Sequence, residues 1–541
     1  MTQPTPSDRP ATTAQRARLA SLLGDGLAAA AIACGWLLLL WRAARGRPFV
    51  FYDTYRDLAY AHNILAGRVW SDPIVAGESP WYPPGGPWLA ASIARLAGAS
   101  VLDVYARSPW WVNALIPLAL FLLVRRALGR CAACLAVAFV LLGSLWWLTH
   151  APAPMASVQG VACALVALLA WQTFGVRSLV GAGASGVLLG LSAWVHPLGA
   201  LFALCGVAGQ ALLTARAASP ASPLTKQSPE ANATGAVVRT GVCIAAALLV
   251  ALPLAPLLSA RPLRNPAPLA YFASELSDPA FALQAHTPAV PLLGLAGVLL
   301  AARSPRLAWL PGYLVAAALG QAAGYAAHWW RWPVPFLLPH QCQWHAQLAL
   351  GVGAAVALVA LGRALARWLV PGRGASPPPA WSWLAGPALA LLVLSPALTQ
   401  VDRIQRYAMQ PGPLRRGERE LVELIARETP IDATIICPAR PGYLLIAGRT
   451  GRKLVAVPDG HMSPRVDAAA RLRDLERLLA TGSEGEFREL AAQYGAQWLA
   501  VIAPSAEEAT PLRRRYERWA GMRLIWADRE GEVLLYHVGP L

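Results

Sequence analysis

Long apolar runs separated by short polar segments dominate the first 400 residues of the chain. A helix needs about 20 mainly apolar residues to cross the hydrocarbon core of a bilayer, and about 11 runs approach that length. The pattern therefore predicts a polytopic α-helical membrane protein with about 11 transmembrane helices. The runs cover residues 22–41, 109–124, 131–148, 155–174, 178–195, 197–215, 240–259, 288–302, 307–327, 346–361 and 380–399.

A different pattern begins near residue 400. Apolar residues there recur alternately at helical and at strand spacing, which is typical of a small α/β layer domain. This region contains no Gly-rich phosphate loop and no nucleophile elbow. The predicted helices are 417–428, 467–480 and 486–494, and the predicted strands are 433–437, 454–457, 497–502 and 532–538.

Charge is scarce and unevenly distributed. Only 14% of the residues are charged, against about 25% in ordinary soluble proteins. The net charge of +17 comes mainly from residues 1–399, which hold 25 Lys and Arg against 10 Asp and Glu. Lys and Arg collect in the loops of membrane proteins for topological reasons. The C-terminal part is nearly neutral and has no basic stripe, so the sequence indicates a bilayer partner and no nucleic acid.

The distribution of basic residues predicts the topology. One set of alternate short loops holds twelve Lys and Arg, whereas the opposite short loops hold only Arg261, Arg264 and Arg331. By the positive-inside rule we expect an inner (plasma) membrane protein with a cytoplasmic N-terminus and an extracytoplasmic C-terminal domain. The expected divisions are a cytoplasmic tail at 1–21, a transmembrane domain at 22–399 with a first outside loop at 42–108, and the α/β domain at 400–541.

The groups that could carry chemistry concentrate on the outer side of this topology. All nine His and seven of the ten acids before residue 400 fall in outside loops, at outer helix ends or in the outside domain. Ionisable groups near a membrane are costly unless they are solvated or used. An extracytoplasmic active face is therefore expected. Nucleotide sugars are scarce there, so any group transfer would need a donor delivered through the lipid.

The first outside loop contains the most informative stretch. Residues 53–68 read Asp-Thr-Tyr-Arg-Asp-Leu-Ala-Tyr-Ala-His-Asn-Ile-Leu-Ala-Gly-Arg, and their apolar residues fit an amphipathic helix lying in the membrane interface. Asp53 at the start of this helix is either an N-cap or a functional carboxylate. Arg56 and Asp57 are either an exposed ion pair or substrate-binding residues. The turn at 81–89, Trp-Tyr-Pro-Pro-Gly-Gly-Pro-Trp-Leu, contains Tyr82 as a further candidate.

These motifs resemble those of the GT-C membrane glycosyltransferases, closest to the protein mannosyltransferase and lipid A aminoarabinose transferase type. The resemblance includes Ala-Trp-Val-His-Pro at 193–197 and the closing outside domain. It implies an inverting transfer of a sugar from a polyprenyl-phosphate donor to a glycan, lipid or protein acceptor, with Asp53 as the catalytic base. The subgroup often has an acid where Tyr82 stands, which leaves a metal role in doubt; we expect no cofactor.

Several further residues could bind the substrate. A leaving phosphate needs positive charge, and Arg261, Arg264 and Arg331 are the candidates, with Arg331 preferred. Alternatively, the Arg331 side chain does not bind substrate but extends to the membrane–water interface beside a Trp-rich segment. His150 and His196 lie at predicted outer helix ends and either line a sugar pocket or serve as structural hydrogen-bonding residues.

Three other functions remain open at this stage. A lipid-linked sugar flippase or transporter would need polar groups in the middle of its membrane spans, where this chain has few. A polysaccharide polymerase or ligase would depend on a large outside loop and Arg rather than Asp. An envelope scaffold without chemistry would tolerate substitution of Asp53.

Overall fold

A computed structural model describes residues 9–44, 53–217, 229–258, 264–265, 289–330, 338–369 and 414–539. These residues form a bundle of apolar helices and a C-terminal domain with a five-stranded sheet. The predicted fold class is confirmed in both parts. Six of the described helices are long and apolar enough to cross a membrane, and three shorter apolar helices accompany them. The count of 11 crossings stays a prediction, and its last run, 380–399, lies outside the described residues.

Most helices up to residue 369 overlap the predicted apolar runs, whereas three, between residues 54 and 107, lie in the segment predicted as the first outside loop. We number them α1 to α15 in chain order: Arg9–Ala44, Thr54–Leu65, Gly85–Ala97, Val101–Arg107, Leu115–Leu128, Arg130–Leu142, Leu145–His150, Ala156–Ala170, Leu179–Val195, Pro197–Ala217, Pro229–Ala251, Ala255–Leu258, Ala289–Ala301, Trp309–Trp329 and Pro339–Leu369. A π-helical turn, Trp171–Gly175, extends α8. Helix α11 begins at Pro229, before the predicted apolar run at 240–259.

Close approach of backbones holds part of the bundle together. Gly294 and Gly297 on α13 face Leu350 and Gly353 on α15, so that a Cβ added at Gly297 would overlap the carbonyl oxygen of Gly353. Lipid tails are as apolar as Leu, so helices in a membrane associate mainly through tight packing of this kind at small residues. The sequence therefore needs glycine at these positions.

The C-terminal domain is a mixed sheet covered by helices. Its strands are β1 Thr434–Ile436, β2 Lys453–Leu454, β3 Ala496–Ile502, β4 Met522–Ala527 and β5 Val533–Val538, in the order β2-β1-β3-β5-β4. Strand β1 pairs in parallel with β2 and β3, whereas β5 is antiparallel to β3 and β4. The main helices are α16 Arg416–Glu428, α17 Ala468–Ala480, α18 Glu484–Gln493 and α19 Ala506–Tyr516.

Most of this domain was predictable, but one strand and one helix were missed. Strand β4 is an edge strand whose residues are mostly half-buried, so it lacks the alternation that marks a strand facing solvent on one side. Helix α19 contains Pro511 and three consecutive Arg, and only two of its residues are buried. Neither segment carries a strong apolar period.

The segment predicted as the first outside loop is packed into the protein. Nine of the twelve residues of α2 are buried, and α2, α3 and α4 share one hydrophobic core with the C-terminal domain. The loop also joins the sheet, because the Leu454 amide donates a hydrogen bond to the Ile74 carbonyl at 2.8 Å and Val75 bridges to Leu454 in parallel. The amphipathic pattern of α2 therefore marks an element packed between two parts of the molecule.

We predict that Gly297→Ala lowers the thermal stability of the protein, because the added methyl must push α13 away from α15. Overpacking of this kind costs about 1–3 kcal/mol. The matched control is Gly241→Ala on α11, where an added Cβ meets nothing within 4 Å and alanine favours the helix. Melting temperatures of the purified proteins in detergent test this, and equal values for the two variants would contradict the packing argument.

Candidate functional site

Asp53 lies where α2 begins, with its side chain partly open to solvent. Its backbone is helical (φ −64°, ψ −23°), and within the described residues its carboxylate caps no helix N–H group. The Asp53 side chain therefore does not cap α2, which was one of the two roles considered from the sequence. The side chain is 30% exposed, and Oδ1 lies 3.4 Å from Nδ1 of His461 in the C-terminal domain. This accessible carboxylate thus has an imidazole partner from a segment about 400 residues away.

His461 is held rigidly against Asp53. It ends a short 3₁₀ turn, Asp459–His461, and its ring stacks on Tyr443 with centroids 4.8 Å apart. The turn is tied to the membrane part, since the side-chain amide of Asn265 donates to the Asp459 carbonyl at 2.8 Å. Burial lowers the pKa of His461 to about 4, although the Asp53 carboxylate acts in the opposite direction. The imidazole is therefore neutral at physiological pH.

Arg56 and Asp57 form an ion pair, but a buried one rather than the exposed pair considered from sequence. Arg56 donates from Nε and Nη2 to Asp57 Oδ1 at 3.1 Å, and the Tyr105 hydroxyl donates to Asp57 Oδ2 at 2.6 Å. The guanidinium carbon lies 3.7 Å above the ring of Tyr82. Burial alone would lower the pKa of Arg56, but chiefly Asp57 and also Tyr82 and Asp53 raise it well above its ordinary value.

The two histidines expected at outer helix ends also lie in this region. His196 separates α9 from α10, is buried, and its ring centroid is 5.9 Å from that of Tyr82. His150 ends α7, where its ring is 5.0 Å from Trp344 and its Nδ1 is 2.9 Å from the Trp146 carbonyl.

Of the three candidate cations, only Arg264 can be placed. Its side chain is exposed, and its backbone N–H donates to the Pro464 carbonyl at 2.9 Å, three residues from His461. Arg261 and Arg331 lie outside the described residues. Within the described ranges, no group of three or more His, Cys, Asp or Glu side chains is arranged to hold a metal ion.

Sequence reasoning missed the residues that hold this site together. His461, Tyr443 and Tyr105 all contact the segment that begins at Asp53, yet they lie 48 or more residues away in the chain. Local periodicity carries no information about such contacts. The available signal was that His461 is a lone imidazole in a Pro- and Gly-containing loop of the C-terminal domain.

The bundle of apolar helices and the C-terminal sheet domain have the fold of the GT-C membrane glycosyltransferases. No protein-family model matches the sequence, and no curated protein matches it. Solved structures do match. The oligosaccharyltransferase AglB of Archaeoglobus fulgidus in its apo form has a TM-score of 0.55 and 13% identity, covering 95% of this chain and 75% of its own.

Two other GT-C structures align over nearly the whole chain. The mycobacterial arabinofuranosyltransferase AftD has a TM-score of 0.57 and 18% identity, covering 95% of this chain but 40% of AftD. ArnT from Cupriavidus metallidurans in the apo state has a TM-score of 0.51 and 15% identity, covering 96% of this chain and 100% of ArnT. At such identities the likeness establishes the fold.

We predict that the protein loses stability as the pH falls from 7 to 5. Burial lowers the pKa of His62, on α2 beside the C-terminal domain, to about 4, as it does for His461. An unfolded His titrates near 6.5. Between these values the unfolded chain binds more protons, so each imidazole costs about 2 kcal/mol of stability by pH 5.

Thermal unfolding at pH 7.5, 6 and 5 measures this dependence. A double variant, His62→Gln with His461→Gln, should lose less stability over the same interval than the wild-type protein. A melting temperature that is unchanged or that rises towards pH 5 would show that these imidazoles do not resist protonation.

Proposed function

We propose that this protein is an inverting membrane glycosyltransferase that moves a sugar from a polyprenyl-phosphate donor to an extracytoplasmic glycan, lipid or protein acceptor. The observation that carries the proposal is the Asp53 carboxylate, 30% exposed and paired at 3.4 Å with the neutral His461. The GT-C fold supports the class of reaction. The complex of AglB with an inhibitory peptide and a dolichol-phosphate, at a TM-score of 0.54, supports a lipid-phosphate donor.

Asp53 is the base in this proposal. An acceptor hydroxyl is a weak nucleophile until a carboxylate within hydrogen-bond reach takes its proton. As the acceptor oxygen bonds to the anomeric carbon, the bond from that carbon to the phosphate oxygen breaks, and the configuration at carbon inverts. The phosphate leaves with the electron pair and needs no general acid, because it is already a weak base. One carboxylate therefore suffices, unlike in glycoside hydrolysis.

His461 positions the base. When Nδ1 carries the proton of the neutral ring, it donates a hydrogen bond to Asp53 Oδ1 and leaves Oδ2 to face the acceptor. A neutral partner fixes the direction of the carboxylate without neutralising its charge. The stack on Tyr443 and the tie to Asn265 hold the imidazole in this place.

Arg56 and Asp57 have a positioning role in this proposal. The guanidinium is engaged by Asp57 and covered by Tyr82, and its side chain is 9% exposed. We infer that this pair, with Tyr105, fixes the first turn of α2 and hence the direction of Asp53. The leaving phosphate is assigned to Arg264, which is exposed beside the His461 loop, together with Arg261 and Arg331. His150, His196 and Tyr82 would then face the sugar.

The proposed topology follows the basic loops. The Asp53 end of the bundle faces the extracytoplasmic side, and the opposite end, rich in Arg, faces the cytoplasm. The C-terminal domain would then close the site from outside.

We expect Asp53→Asn to reduce sugar transfer by about 10²–10⁴-fold, because the amide cannot accept the proton of the acceptor. Purified protein in nanodiscs is supplied with a panel of radiolabelled polyprenyl-phosphate sugars and envelope fractions, and labelled product is counted. The matched control is Glu78→Gln, an acid of the same loop whose only ion pair among the described residues is a 3.8 Å contact with Arg471.

Equal labelling by wild type and Asp53→Asn would contradict the role of Asp53. In sealed proteoliposomes, sugar lipid that crosses the bilayer without any labelled product would favour the transporter instead. The donor affinity and the melting temperature of Asp53→Asn show whether the variant has lost the transfer step itself or has lost donor binding or folding.

For His461→Gln we predict a fall of about tenfold in kcat with little change in the KM for the donor, because the base is misdirected but the substrate still binds. The matched control is His537→Gln on strand β5, the other histidine of the C-terminal domain. A purely structural role would instead lower the melting temperature and leave the kcat of the folded fraction unchanged.

A further inference from the structure

A basic cavity lies at the end of the bundle opposite Asp53. Its volume is about 930 Å³, and five arginines line it: Arg125, Arg126, Arg130, Arg177 and Arg306. They come from the end of α5, the start of α6, the segment after α8 and the segment before α14. Three chain regions that are distant in sequence, at 125–130, 177 and 306, thus converge on one concave surface.

Positive charge in this cavity exceeds the negative charge that balances it. Asp25 on α1 is the one acidic residue in the lining; it pairs with Arg125 and, at 3.4 Å, with Arg130. Arg126, Arg177 and Arg306 form no ion pair with any carboxylate that the structure describes. Three guanidinium groups in one cavity therefore remain available to an anion.

Neutral hydrogen-bonding side chains also line the cavity. Gln172 and Thr173 belong to the π-helical turn Trp171–Gly175, and the Arg126 side chain donates to the hydroxyl of Thr173. Arg306 in turn donates to the Arg126 carbonyl. The π-helical turns of helices are often functional. Here the turn directs two polar side chains towards the arginines.

The distance along α8 between the Asp53 site and the cavity indicates which part of the bilayer the cavity faces. Helix α8 starts beside the site, since the Thr54 hydroxyl donates to the Pro154 carbonyl two residues before Ala156. It reaches the cavity at Gln172 and Thr173. Fifteen α-helical residues and the five of the π turn span about 30 Å at 1.5 Å per residue, which is the thickness of the hydrocarbon core. The cavity is therefore at the level of the opposite lipid headgroups.

Topology alone does not require this arrangement. The positive-inside rule is satisfied by Lys and Arg anywhere in the loops of one side. Arg216 and Arg303 meet that need, because they are exposed near the same end of the bundle and do not line the cavity. Because five other arginines line one cavity, we infer that the cavity binds an anionic ligand.

We propose that this cavity binds the phosphate group of an anionic lipid headgroup in the leaflet opposite the transfer site. Guanidinium groups match phosphate oxygens in bidentate geometry, and basic cavities between transmembrane helices bind anionic headgroups. The site is separate from the one that contains Asp53, and binding there does not depend on the proposed transfer reaction.

The test compares lipid binding by two charge-matched variants of the full-length protein. Arg177→Gln with Arg306→Gln removes two lining cations, whereas Arg216→Gln with Arg303→Gln removes two outside the cavity. Native mass spectrometry in detergent measures the affinity for phosphatidylglycerol, with phosphatidylcholine as the zwitterionic reference. We expect the lining variant to bind phosphatidylglycerol roughly 30-fold more weakly and the control variant to bind it like wild type.

A second arm distinguishes the source of the phosphate. Millimolar inorganic phosphate that leaves bound phosphatidylglycerol in place supports the lipid headgroup, whereas full displacement overturns it in favour of a soluble phosphate compound. Equal weakening in the two double variants, or equal affinity for the two lipids, would overturn the site itself. Matching melting temperatures before lipid is added show that both variants are folded.

Discussion

The packing of α2 between the membrane bundle and the C-terminal domain is the constraint on which the site depends. On one side the Thr54 hydroxyl donates to Pro154 at the start of α8, and on the other Tyr55 and His62 meet glycines of the C-terminal domain. A Cβ at Gly448 would overlap the side chain of Tyr55, and Gly451 adopts a positive φ of 72° where it approaches His62. Without glycine at these two positions the domain could not approach α2 closely enough to bring His461 to Asp53.

A buried charge pair inside that packing gives α2 its orientation. Desolvating Arg56 and Asp57 is costly, and the cost is offset only by good geometry and full hydrogen bonding. Tyr105 from α4 and the ring of Tyr82 from the turn at 81–89 supply that environment. A buried pair of this kind contributes little net stability, but a misplaced α2 would separate Asp57 from Tyr105 and Arg56 from Tyr82, leaving the buried charges without these partners. The pair therefore selects one position of α2 and thus one direction for Asp53.

The sequence predicted the fold better than the site, for a physical reason. A bilayer imposes long apolar runs on every helix that crosses it, so the helices up to residue 369 could be located from composition. The stripe of α2 at Leu58, Ala61 and Ile64 was also visible. The residues that cover α2 could not be recognised, because Tyr105 and Tyr82, which enclose the Arg56–Asp57 pair, come from other elements. The contact between Asp53 and His461 depends on how the C-terminal domain packs on α2, which no local period encodes.

The Asp53 carboxylate and the His461 imidazole come from different parts of the chain. The site therefore depends on how these parts pack together. The geometry at Asp53 exists only while the C-terminal domain remains packed on α2, held by the Ile74–Leu454 hydrogen bond, by Asn265 on the His461 loop, and by Arg465, which donates to the Pro256 and Leu257 carbonyls. Loosening any of these contacts would change the direction of the Asp53 carboxylate, which we propose as the base. The C-terminal domain is thus part of the candidate site, through the core that it shares with α2, α3 and α4.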